Sequence, residues 1–168
     1  MDGEFEVGTE VIYPFHGVAR IVARETRQLN GVSETYLRLF VPQTGRLEGA
    51  GLTLSVPENR AADVGIRMPV SVDEADDVLE VLEQTDISVP ASWSRRFKNH
   101  QEKLKSGDIY HCAEVVRNLV RRQAIKALAP AETQMYERAR NTLVGELAVS
   151  WGVDHEAADA RVDQALHS

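Results

Sequence analysis

The period of the hydrophobic pattern changes near residue 70. Between residues 7 and 67, apolar and polar residues alternate over short stretches, most clearly at 35–41 and 52–56, and a period of two predicts β-strands. Asn30-Gly31 separates the stretches 24–29 and 34–41 and is a strong hairpin signal. In the stretch before this hairpin we expect three side chains to face inward: Val18, Ile21 and Val22. Short strands with turns between them predict a small Tudor-like or SH3-like β-barrel.

From Val72 onward the apolar residues recur three and four positions apart, which predicts helices. The first runs from Val72 to a linker at 84–90, and the others cover about 93–105, 109–127, 131–150 and 154–166. Ser92 or Ser94, Asp108 and Asp154 are expected to cap three of them. The chain is therefore predicted to hold a β domain at 1–70 and an all-α domain at 71–168, with an acidic helix and linker at 71–91.

The predicted helices have distinct faces. The third presents an apolar face made of Ile109, Cys112, Ala113, Val116, Leu119, Val120 and Ala124. Its opposite face carries Arg117, Arg121 and Arg122. The fourth has Met135, Ala139, Leu143 and Leu147 in register. Because Cys112 is the single cysteine, an intrachain disulfide is excluded, and its position predicts a buried thiol.

Charge is distributed unevenly. The 168-residue chain has a net charge of −7, which by itself argues against a nucleic-acid binder. However, residues 73–86 hold seven acids and no Lys or Arg, whereas 93–126 hold nine cations and three acids. The basic segment thus keeps DNA binding open. With no apolar run long enough for a membrane span and no signal-peptide pattern, we expect a cytoplasmic protein without membrane contact.

Known catalytic patterns are missing from the sequence. It has no Walker loop, nucleophile elbow or dinucleotide fingerprint. His111 and Cys112 are adjacent and would diverge on a helix, so they make a poor metal pair. Asp76, Asp77 and His16 have no partner at a recognisable spacing. We therefore expect no enzymatic activity, no cofactor and no metal site.

Residues 90–98 place Trp93 beside Arg95, Arg96 and Lys98 at the start of a predicted helix. A helix N-terminus with added cations suits phosphate, and an apolar wedge beside such cations can open a base step. Alternatively, Trp93 shares a helical face with Phe97, His100 and Leu104, and such a stripe is typical of core packing. The pattern alone leaves both interpretations open.

Several short motifs run in one order along the chain, and they span nearly all of it: Phe5-Glu6-Val7-Gly8, Val11-Ile12-Tyr13-Pro14, Glu25-Thr26-Arg27, Val56-Pro57-Glu58-Asn59, Trp93-Ser94-Arg95-Arg96-Phe97-Lys98, Ser106-Gly107-Asp108, Ala113-Glu114-Val115-Val116-Arg117 and Leu143-Val144-Gly145-Glu146-Leu147-Ala148. With these motifs the chain resembles the CarD family of bacterial proteins that bind RNA polymerase. The family shares its β domain with the polymerase-interacting domain of the transcription-repair coupling factor.

The resemblance implies that the β domain docks on the polymerase β subunit, partly by edge-strand pairing. Glu25, Thr26 and Arg27 would be contact residues. Some family members carry a second docking arginine on the strand before the Val-Pro pair, where this chain has Ser55. The loop at 42–51 is also longer than usual, and Arg46 within it could compensate.

The resemblance further implies that the helical domain holds the upstream edge of the promoter bubble. Trp93 would wedge at the junction, and Arg95, Arg96 and Lys98 would hold the DNA backbone largely independently of sequence. We expect Arg121 and Arg122 to be further DNA contacts. Such a protein would stabilise the open complex as a monomer, and would associate with the nucleoid through the polymerase. The alternative is a protein-interaction adaptor, with a β domain that binds another partner and a helical domain that does not bind DNA.

Overall fold

The computed structural model describes residues 5–14, 16–42, 50–85 and 88–168. The chain divides into two compact units, Met1–Pro69 and Val70–Ser168. Within these described ranges, the β-strands lie in the first unit and the five long helices in the second. The change of hydrophobic period near residue 70 thus corresponds to a change of secondary structure.

Four antiparallel strands form one sheet in chain order: β1 (Glu10–Tyr13), β2 (Gly17–Leu29), β3 (Val32–Pro42) and β4 (Gly51–Pro57). Asn30 and Gly31 join β2 to β3 with φ values of 55° and 80°, and a type I′ turn requires positive φ at both central positions. The sheet curls over a core of Val11, Ala19, Ile21, Leu37, Leu39, Val41, Val56, Ala61 and Ile66. The predicted hairpin and Tudor-like fold are confirmed.

Of the three residues predicted to face inward, Ile21 is buried, but Val22 is exposed and Val18 is only half-buried. The residues of β2 that face the core before the bulge are Ala19 and Ile21, so the prediction for Val18 and Val22 followed the wrong alternation. Ile21 pairs with Leu39, but Ala23 pairs with Arg38, so Val22 is an extra residue in β2. Such a β-bulge shifts the alternation of the strand after it by one position.

The two outer strands of the sheet differ in how their edges are covered. After β4, a 3₁₀ turn (Glu58–Arg60) and the short helix α1 (Ala61–Val64), neither of them predicted, lead the chain back to β1. There Arg67 exchanges two backbone hydrogen bonds with Ile12. β4 is the last strand of the sheet, and within the described ranges no further strand pairs with its outer edge.

The second unit consists of α2 (Val72–Glu83), α3 (Trp93–Lys105), α4 (Ile109–Ile125), α5 (Pro130–Trp151) and α6 (His155–Leu166). The predicted bounds agree to within two residues, the largest difference being the earlier end of α4. The α5 stripe, Met135, Ala139, Leu143 and Leu147, is buried as predicted. On α4, Val120 is half-buried and Ala124 is exposed, because the helix runs past the core before it ends.

Helix capping is as expected at two of the three predicted starts. The Asp108 carboxylate accepts from the Tyr110 backbone N–H, and Asp154 accepts from that of Ala157. Ser92 is the N-cap residue of α3, but its side chain accepts no capping bond. Its hydroxyl lies 3.2 Å from that of Ser94. The start of α3 is held by other side chains, described below.

Candidate functional site

Trp93 is the first residue of α3 and its side chain is largely accessible. It is 45% exposed, and its ring stacks on that of Phe97 with centroids 5.1 Å apart and planes inclined by 8°. Phe97 is partly buried and packs against the helical core. One face of the indole therefore rests on a core residue while the rest of the ring is available to a partner.

Arg96 is not available to DNA, so the prediction that it contacts the DNA backbone is wrong. Its guanidinium is 4% exposed and its Nε lies 3.0 Å from Oε2 of Glu132. A second nitrogen donates to the other oxygen of Glu132 at 3.4 Å, and a third donates to the Ala91 carbonyl at 3.3 Å. A buried charge requires such partners. Arg96 thereby joins the start of α3 to the first turn of α5.

Glu132 is the buried partner of Arg96 at the start of α3. Burial alone would raise the pKa of Glu132, but the hydrogen bond and charge of Arg96 outweigh it and keep that pKa below its ordinary value. The neighbouring Trp93 side chain lowers the pKa of Glu132 in the same direction. Glu132 thus stays ionised and holds Arg96 in place. It is a positioning residue that the sequence analysis missed.

Arg95 and Lys98 follow Trp93 in the first two turns of α3, and both are exposed. The first turn of α3 contains no acidic residue, so nothing in that turn competes with a phosphate for the helix N-terminus and the two cations. Trp93, Arg95 and Lys98 are called the Trp93 site below. They are the predicted DNA contacts of α3 that the structure leaves exposed.

The arginines of α4 have structural roles. The Arg121 guanidinium donates to the backbone carbonyls of Leu82, Gln84 and Leu166, which lie at the C-terminal ends of α2 and α6. Arg117, predicted on the solvent face, is buried and donates to the Val81 carbonyl. Cations at helix C-termini satisfy free carbonyls and complement the helix dipole. The Arg121 guanidinium is thus engaged by protein carbonyls, and its predicted contact with DNA stays a prediction. Arg122 is half-buried and remains only a prediction.

His100 is fully buried beneath the Trp93 site. Its Nε2 lies 3.3 Å from the Asn118 side-chain nitrogen, and its Nδ1 has no hydrogen-bond partner in the structure. Burial, together with the nearby charges of Lys103 and Arg96, lowers the pKa of His100 to about 4, against the opposing effect of Glu132. The folded protein therefore holds this imidazole neutral.

This burial predicts acid sensitivity. The unfolded chain binds a proton at His100 below about pH 6.5 while the folded chain resists until about pH 4, so stability falls as the pH falls through this window. The loss should reach roughly 2–3 kcal/mol. Urea unfolding at several pH values measures this loss of stability. The variant His100→Leu should lack the part of the pH dependence that His100 causes. An unchanged pH slope in the variant would contradict the assignment.

A second cluster lies on the exposed face of the β unit, and is called the docking face below. Glu25 and Arg27 on β2 meet Tyr36 and Arg38 on β3. A guanidinium nitrogen of Arg38 lies 2.7 Å from one oxygen of Glu25, and that of Arg27 lies 3.4 Å from the other. The Arg27 guanidinium also lies over the Tyr36 ring, 4.6 Å from its centroid. Arg27 lies within β2, in the first arm of the predicted hairpin.

The other predicted docking residues are more scattered. Thr26 lies on β2 between Glu25 and Arg27 and pairs with Thr35, so strand alternation directs it to the opposite face of the sheet. Ser55 is exposed on β4, directly opposite Arg38. Arg46 lies outside the described residues.

Tyr36 and Arg38 were not predicted as docking residues, although the alternation of polar and apolar residues along β3 indicated their position. They alternate along β3 with Leu37 and Leu39, which are fully buried, and a period of two places them on the outer face. Glu25, Thr26 and Arg27 were predicted as docking residues because they form a contiguous sequence motif. One face of a strand, however, is made of every second residue, so a contiguous motif does not describe it.

Other kinds of site are not found in the described ranges. No three His, Cys, Asp or Glu side chains there are grouped so that they could hold a metal ion. No helix in the same ranges is long and apolar enough to cross a membrane.

Comparison with known proteins agrees with this two-part organisation. Residues 5–70 match the family model of the CarD-like/TRCF RID domain, and residues 77–163 match that of the CarD C-terminal domain. The chain is also similar to a Bacillus subtilis (strain 168) protein named "Putative transcription factor YdeB", with 27% identity over 149 residues that cover 89% of this chain and 94% of the relative. The chain therefore belongs to the CarD family of transcription regulators.

Proposed function

We propose that this protein docks on the β subunit of RNA polymerase through its β unit, and stabilises the open promoter complex through the Trp93 site. Membership of the family supports transcription regulation, and the RID-domain match suggests an interaction with RNA polymerase. The observation that carries the DNA part of the proposal is the exposure of Trp93, which stacks on Phe97 at the start of a helix whose first two turns also carry the exposed cations Arg95 and Lys98.

An exposed indole fixed at a helix start is suited to opened DNA. Separating a base step costs a few kcal/mol, and an inserted ring offsets part of this cost. The contact forms only where the bases are already unstacked, at the upstream edge of the bubble. The protein therefore binds the open complex better than the closed one, and this difference in affinity shifts the equilibrium towards the open complex.

Phosphate contacts hold the indole at the junction. We expect Arg95→Ala and Lys98→Ala each to weaken binding to a forked DNA duplex about equally across sequences, and to lower the slope of log affinity against log salt by roughly 0.9. Arg138→Ala, which removes an exposed arginine of α5, should leave the slope unchanged. A changed sequence preference with an unchanged salt slope would instead indicate base readout.

Docking is assigned to the β unit for two reasons. β4 presents an outer edge that no described strand covers, and such an edge can pair with a strand of another protein. The adjacent docking face combines arginine and tyrosine, which are enriched among the residues that dominate binding energy. The test is a pull-down of the purified β subunit by the full-length protein, with retention expected. No retention of either the β subunit or the holoenzyme would refute polymerase docking.

The adaptor function remains the second candidate, because the structure reduces the number of cations available to DNA. Arg96 and Arg121 bind protein groups, and the chain as a whole carries a net charge of −7. An adaptor requires no DNA contact. DNA binding that depends on Arg95 and Lys98 would exclude it, whereas docking without such binding would favour it.

A further inference from the structure

Arg38 occupies an unusual position for a surface arginine. It lies on β3 directly opposite Ser55 of β4, and its guanidinium shares the Glu25 carboxylate with that of Arg27. The side chains of Arg27 and Arg38 are 47% and 43% exposed. Two accessible guanidiniums thus converge on one carboxylate at the centre of the docking face.

Stability does not account for this arrangement. Exposed ion pairs contribute little to folding, and both sides of the Glu25 carboxylate are already occupied. Each guanidinium has five N–H donors. A single carboxylate that two guanidiniums share cannot accept hydrogen bonds from all of them. Both side chains are more than two-fifths exposed, and the Arg27 guanidinium lies over the Tyr36 ring. They are suited to the carboxylates of an acidic partner segment, which arginine binds in a planar, two-point geometry.

We propose that Arg38 is the second docking cation of this protein, and that Arg27 and Arg38 together bind carboxylates on the polymerase β subunit. This inference rests on the docking proposed above. Glu25 holds the two guanidiniums in place before the partner arrives, which reduces the ordering cost of binding. Ser55, which pairs with Arg38 in the register of β3 and β4, has a short uncharged side chain. Arg38 on β3 would thus provide the positive charge that β4 lacks at Ser55.

The test is the dissociation constant of the full-length protein for the purified β subunit. Arg27→Ala and Arg38→Ala should each raise it by about tenfold. Arg24→Ala is the matched control, because Arg24 is also exposed on β2 but pairs with Glu58, and it should change the constant less than twofold. Adding Ser55→Arg to Arg38→Ala should restore most of the affinity, since the two positions face each other. Thermal unfolding of each variant verifies the fold.

The outcomes separate this inference from the docking proposal. Wild-type affinity in Arg38→Ala, with weakened binding in Arg27→Ala, would overturn the role of Arg38 and leave docking intact. Wild-type affinity in both variants would overturn the two-arginine site but not docking itself. No binding by the wild-type protein would overturn both. Weakening by Arg38→Ala together with rescue by Ser55→Arg would support the inference.

Discussion

Arg96→Ala is expected to destabilise the helical unit by roughly 3–5 kcal/mol. Glu132 is almost fully buried, and removing its partner would leave an uncompensated charge in the interior. The start of α3 would also lose its link to α5 and to the Ala91 carbonyl. Urea or thermal unfolding of the full-length protein measures the effect.

Arg95→Ala is the matched control, because Arg95 is the neighbouring residue and is exposed. It should change stability by less than about 0.5 kcal/mol. The paired replacement Arg96→Met with Glu132→Leu should recover much of the lost stability, since apolar groups can replace a buried ion pair. If Arg96→Ala unfolds like the wild type, the ion pair does not hold the start of α3.

Trp93→Ala is expected to shorten the lifetime of the open complex by roughly tenfold while leaving the fold nearly intact. The ring is half exposed, so its removal should cost stability little more than the stacking on Phe97, about 0.5–1.5 kcal/mol. Loss of the wedge should cost about 1.4 kcal/mol in the open complex, which corresponds to the tenfold change. Docking on the β subunit should be unchanged, because the docking face lies in the other unit.

Phe97→Ala is the control for Trp93→Ala. Phe97 lies one turn further along α3 and packs against the core, so its truncation should cost about 3 kcal/mol. Thermal unfolding of both variants separates the two roles. Equal losses of stability would mean that Trp93 is a structural residue and would remove the main support for a wedge.

The secondary structure could be predicted because it follows from local periodicity. The boundaries of α3 and α5, the Asn30-Gly31 turn and the caps at Asp108 and Asp154 depend on residues close in sequence. The bulge at Val22 could not be predicted in this way. A bulge depends on how β2 pairs with β3, and the loose alternation of β2 indicated only that the strand is irregular.

The site could be predicted only in part, because the partner of each charge is remote in sequence. Arg95 and Arg96 are adjacent and chemically identical, yet one is exposed and the other is paired with Glu132, 36 residues away. Arg121 likewise binds carbonyls at the ends of two other helices. Clustering of positive charge along the chain therefore overestimated the surface available to DNA. The exposure of Trp93 likewise depends on contacts between residues that are remote in sequence.

The half-life of the open complex tests the central claim most directly. RNA polymerase holoenzyme is bound to promoter DNA, a competitor is added, and the decay of open complexes is followed with and without the wild-type protein. We expect the half-life to lengthen at saturating protein. An unchanged half-life, although the protein remains bound to the polymerase, would contradict stabilisation of the open complex.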